Sequence, residues 1–70
     1  MKAEVQKAIR NSLHTEKSAM LFYQYGAQRF TDPRAKKTFE LLAKEEREHA
    51  GHFHRIYPGS DIPSLDDFLA

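Results

Sequence analysis

Glu16, Glu46 and His49 are the residues of this chain whose types and spacing fit them for chemistry. From Ala35 the sequence places Ala35, Phe39, Leu42, Glu46, His49, Phe53 and Ile56 in alternating steps of four and three. That spacing keeps them on one face of an α-helix, so Glu46 and His49 fall inside a stripe expected to be buried. A second stripe, Val5, Ile9, Ser12, Glu16, Ala19, Tyr23, Gly26 and Phe30, carries Glu16 at its middle. An unpaired buried carboxylate is costly, so these groups call for something cationic. Two carboxylates and an imidazole offer hard oxygen and borderline nitrogen, a set suited to Fe(II), Mn(II) or Zn(II).

The elements that must position these residues are legible. A first helix is expected from Ala3 to Phe30, about 40 Å long at 1.5 Å per residue, with its only glycine, Gly26, near the end. Thr31-Asp32-Pro33 reads as a break followed by a start. Asp32 is a good N-cap, and Pro33 suits the first helical position because its missing N–H has no partner there. The second helix is expected from Pro33 to Tyr57, stopped by Pro58-Gly59. So short a connection forces the two helices antiparallel. Counted from the turn, Glu16 lies roughly 15 residues back, while Glu46 and His49 lie roughly 14 and 17 forward, the same height within about one helical turn. Residues 1–57 thus form a hairpin and residues 58–70 a tail. In the tail, Ser64 with Asp67 resembles a capping box that opens a short helix bearing Leu65, Phe68 and Leu69. Either this tail packs back on the hairpin or the chain is a fragment of a longer protein.

One hairpin supplies three ligands, too few to close a site. A second copy related by a two-fold axis supplies three more, giving four glutamates and two histidines. Two divalent metals then cancel four carboxylate charges. Four-helix carboxylate proteins write this set as a Glu from each of two helices plus Glu-x-x-His from each of the other two. Here Glu16 is the lone Glu, and Glu46-Arg47-Glu48-His49 is the Glu-x-x-His.

The pattern Glu16…Tyr23…Phe39-Glu-Leu-Leu-Ala-Lys-Glu-Glu46-Arg-Glu-His49 resembles the ferritin-like superfamily, and rubrerythrin most closely, over Leu13 to Tyr57. The resemblance implies an all-α fold: an antiparallel hairpin that dimerises into a ferritin-like four-helix bundle. A rubrerythrin bundle carries two such hairpins in one chain, whereas encapsulated ferritins build the centre from single hairpins across a subunit interface. It further implies Glu16, Glu46 and His49 as ligands of two iron ions per dimer, with Glu46 bridging and Tyr23 hydrogen-bonded behind them. The activity implied is an iron-dependent oxidoreductase, a ferroxidase or a peroxide reductase, with O2 or peroxide as oxidant. The cysteine-rich rubredoxin module of full rubrerythrins has no counterpart here.

Two other readings stand beside it. One is a non-catalytic, metal-stapled assembly domain holding Zn(II). The other is a helical interaction module whose buried polar residues only set register.

Composition narrows the rest. With 70 residues the chain is one small domain, which needs a staple or a partner to be stable. It has no cysteine, so that staple is a metal or a second chain. Lys and Arg are interspersed with Glu at a formal charge of +1, which argues against nucleic acid as a partner. No apolar run approaches the ~20 residues of a membrane span, and Met-Lys-Ala-Glu has no signal-peptide core, so a cytoplasmic protein is the default expectation. Glu45 and Glu48 fall off the stripe and are expected in solvent, as are His52 and His54. His14 has no evident partner. Leu21, Phe22 and Tyr25 make an outward patch, to be covered by the tail or by a further interface.

Overall fold

The computed structural model describes the whole chain, Met1 to Ala70. It holds three helices: α1 over Lys2–Arg29, α2 over Pro33–Ile56 and the short α3 over Leu65–Leu69. α1 has no side-chain cap, but Glu4 in its first turn and Arg29 in its last complement the helix dipole. α2 starts where the turn chemistry places it. Asp32 accepts a hydrogen bond from the Arg34 N–H at 3.1 Å, with Pro33 in the first turn. α3 opens on the Ser64 hydroxyl, which accepts from the Asp67 N–H at 3.2 Å.

α1 and α2 pack side by side as a hairpin in a molecule 47 × 19 × 14 Å across. Its core joins Ile9, Leu13 and Met20 of α1 to Ala43 and Ala50 of α2, with Tyr57 and with Leu69 of α3. This corrects the expected stripes by one row. The buried face uses Leu13, Met20 and Ala27 on α1 and Ala43 and Ala50 on α2, with Tyr57 just past its end, heptad-spaced beside the rows of Glu16 and Glu46. On the other side of those two rows, Ile56 is 64% exposed and Val5 48%. The physical reason is that a helix in a bundle has two neighbours. A period of three and four marks the face shared between them, and one hairpin supplies only one.

Residue size decides one contact at the turn end. The Phe39 ring lies over Gly26, where a Cβ would stand 2.7 Å from it. Phe39 is held edge-on by Tyr23 and Phe30, with ring centroids 5.5 and 4.8 Å away.

The tail packs back on the hairpin. Leu69 is buried in the core, Leu65 lies over Gly51, and the Phe68 ring stands 5.0 Å from His14, which gives that histidine a partner. Arg10 donates to the Tyr57 hydroxyl and to Asp61, and the Tyr57 hydroxyl donates to Asp61 at 2.8 Å. His54 Nε2 lies 2.8 Å from the Pro63 carbonyl oxygen, so it holds the tail rather than facing only water. No helix is long and apolar enough to cross a membrane.

Candidate metal centre

Halfway along the hairpin, the two helices bring Glu16, Glu46 and His49 together at one height. One ligand atom from each lies within 4.8 Å of the others. His49 Nδ1 is 3.5 Å from Glu16 Oε2 and 3.7 Å from Glu46 Oε2. Glu46 and His49 are i and i+3 on α2, so one helical turn presents both. Glu16 comes from α1, whose heptad register puts it opposite.

The environment is uneven. The Glu16 and Glu46 side chains are 19% and 20% exposed, whereas that of His49 is 53% exposed. The centre therefore lies on the boundary between the closed seam and the open face of the hairpin, with the imidazole on the open side.

Electrostatics mark Glu16 as the strained member. Its carboxyl is raised above the ordinary value of 4.5, first by a hydrogen bond shared with Glu46, then by burial and by the charge of Glu46. His49 pulls it the other way. Two ionised carboxylates have no proton to share, and Glu16 Oε2 is buried without a hydrogen-bond donor. A divalent cation between these three groups satisfies that oxygen and cancels the repulsion that a proton otherwise relieves. The donor set fits such an ion in chemistry, two carboxylate oxygens and one imidazole nitrogen. It falls short in number, because the open side brings no further ligand from this chain.

The other residues singled out in the sequence sort by position. Glu45, Glu48 and His52 are exposed on α2 and stand outside the cluster. Tyr23 is half-buried between Phe22 and Phe39, both edge-on to it at 5.5 Å. The tail network of Arg10, Tyr57 and Asp61 carried no signal in the sequence, since Arg10 and Asp61 meet across 51 residues. There, the hydrogen bond from Tyr57 holds the Asp61 carboxyl below its ordinary value of 3.8.

A model of the rubrerythrin family matches residues 7–62, most of the chain and all of the cluster. No curated protein and no solved structure matches the chain.

Proposed function

The chain belongs to the rubrerythrin family, and from that premise we propose that it is a non-haem di-iron carboxylate protein whose centre is completed between two copies. The observation that carries this reading is the buried, donorless Glu16 Oε2, set beside Glu46 and His49 at the edge of an open face. Two hairpins docked through that face form a four-helix bundle with four glutamates and two histidines inside, the ligand set of di-iron carboxylate bundles. Glu16, Glu46 and His49 of each copy would hold the metal. When bound, a pair of iron ions at such a centre supplies redox chemistry between Fe(II) and Fe(III), with O2 or peroxide as the oxidant.

The chain's own residues do the rest. Metal binding requires the ionised form of Glu16, whose pKa is raised in the metal-free chain, so binding strengthens as pH rises. His49 binds as the neutral imidazole, its exposed ring reaching toward the second copy. Tyr23, wedged between aromatic rings, is the residue we assign to hydrogen-bond behind the ligands, and its packing fixes the ring before the hydroxyl finds a partner.

Anaerobic Fe(II) titration followed by exposure to O2 or peroxide tests this. The expected result is about one iron per chain, two per dimer, with a ferric absorption band rising on oxidation. Glu46→Ala or His49→Ala removes most of that iron, while Glu45→Ala and Glu48→Ala leave it unchanged. Stoichiometric binding with no oxidation supports the metal-stapled assembly domain instead. Equal losses from all four variants refute the assignment of ligands.

A further inference from the structure

We propose that the groove between α1 and α2 on the turn side of α3 is a docking site for an acidic, amphipathic helical segment of another protein. The site is independent of the di-iron reading, because it shares no residue with Glu16, Glu46 and His49.

The groove begins where α3 stops. The end of α3 lies against Lys17, whose Nζ donates to the Ala70 carbonyl at 3.4 Å. From Met20 toward the turn no third segment overlies the two helices, and they bound a space of about 410 Å³. That falls within the roughly 300–1,000 Å³ of ligand-binding clefts. Its floor is Met20, Ala27 and Ala43, and the two alanines are too short to fill it.

The walls differ in charge. α1 offers the Gln24 and Gln28 amides, whereas α2 offers Lys36, Lys44 and Arg47 against one acid, Glu40. Lys44 enters no ion pair within the chain. Lys36 donates to the Ala27 carbonyl at 3.3 Å, and an ammonium keeps further protons for another acceptor. The wall of α2 is therefore net positive above an apolar floor.

α3 shows what such a surface accepts. In the adjoining seat Leu69 enters the same core cluster as Met20 and Ala43. Beside it Asp66 pairs with Arg47, which also lines the open groove. The run Leu65-Asp66-Asp67-Phe68-Leu69 thus sets an apolar side chain on the seam and a carboxylate on the cations of α2. The open groove repeats both halves of that contact, with Lys44 in the part that Arg47 plays for α3. A second segment of the same chemistry complements it in charge and polarity. The floor from Met20 to Ala27 is about 10 Å long, the length of about two helical turns.

Free anions fit less well. A phosphate would use the cations but meet Glu40 among them, and it would leave the apolar floor uncovered. A peptide sets its few carboxylates at Lys44 and Arg47, and its own donors at Glu40 and the two amides. The charges involved are exposed, so the contact is weak and sensitive to salt.

The test is fluorescence anisotropy with a labelled, capped peptide that carries the Ser64–Ala70 sequence twice, added to the full chain with and without Fe(II). The expected result is saturable binding in both metal states, weakened by salt. Lys44→Glu weakens it at least about tenfold, with helix content and iron per chain unchanged. Gln24→Glu, on the facing wall, is an independent disruption. The same peptide with each Asp replaced by Lys does not bind. Amide shifts in NMR spectra of the metal-free chain fall at Gln24, Ala27, Glu40 and Lys44. Absence of saturable binding overturns the proposal, as does equal affinity for the two peptides. Shifts confined to Gly51 and α3 overturn it too, because the peptide then only replaces the chain's own tail. Displacement of the peptide by an equal concentration of inorganic phosphate reduces the groove to an anion site. Failure of the di-iron reading looks different: the wild type takes up no iron and still binds the peptide.

Discussion

The two long faces of this hairpin were built for different ends. On the back, α3 closes the groove between α1 and α2, Leu13 and Ala50 are 0% exposed, and a hydrogen-bonded network from Arg10 through Tyr57 to Asp61 ties the tail down. On the front, His49 and Ile56 stand exposed with Leu42 half-buried in the same row, and the side chains nearest the seam are two carboxylates. A face closed by its own chain can be wholly apolar. The open face carries carboxylates whose mutual repulsion is relieved by a cation or a proton. The fold and the site thus draw on separate halves of the molecule, so they can be disrupted separately.

The largest expected effect is on the back. Leu13→Ala removes the only large side chain that is completely buried and should cost about 2–5 kcal/mol. That is most of the stability of so small a domain. Ile56→Ala on the front should change the stability of the isolated chain by less than about 0.5 kcal/mol, while weakening dimerisation at least about tenfold, as expected of an apolar interface anchor. Urea unfolding and sedimentation separate the two. If Ile56→Ala unfolds the chain as readily as Leu13→Ala, the front is not an open face and the contrast between the faces fails.

Gly26 tests the boundary between the faces. It belongs to the front row, yet Phe39 of its own chain occupies the space above it. Gly26→Ala should therefore behave like a core substitution, costing about 1–3 kcal/mol through overpacking despite the better helix propensity of alanine. An increase in melting temperature would show that Phe39 shifts freely and that the aromatic cluster is not a fixed part of the hairpin.

Acid should act on the two faces with opposite signs. On the front, Glu16 has a raised pKa in the folded chain, so its contribution to stability is fully present below its ordinary value of 4.5 and is lost as pH rises through the raised one. On the back, Asp61 has a lowered pKa, so its contribution is present above 3.8 and is lost as pH falls through the lowered value. Mild acidification of the metal-free protein from neutral pH toward 4.5 should thus raise its melting temperature. Glu16→Gln should remove that gain, and Asp61→Asn should leave it in place. A melting temperature that falls over the same range in wild-type protein would contradict the assignment of strain to Glu16.

Much of this was legible in the sequence, because the signals are local. Asp32 and Pro33 specify a helix start through one side-chain oxygen and one missing N–H, and Ser64 with Asp67 does the same for α3. The convergence of Glu16 with Glu46 and His49 followed from counting residues on either side of a tight turn. The face of each helix that its own chain buries was not legible. Rows on both sides of Glu16 and Glu46 read as apolar, and only packing against a particular neighbour selects Leu13 and Met20 over Ser12 and Ala19. The half-exposed position of His49 has the same origin. The seat of the tail was hidden for another reason: Arg10 and Tyr57 meet across 47 residues, and nothing near either one announces the other.

Whether a second copy and iron together complete the open front is decided by native mass spectrometry. Protein loaded anaerobically with Fe(II) and desalted before analysis shows its chains and its metal in the same particle. The expected species have an even number of chains and one iron for each, two chains with two irons at the lowest concentration, and none of them forms from Glu46→Ala. A folded monomer that carries its own iron, or a dimer that forms at full strength and never takes up metal, would contradict the proposed centre.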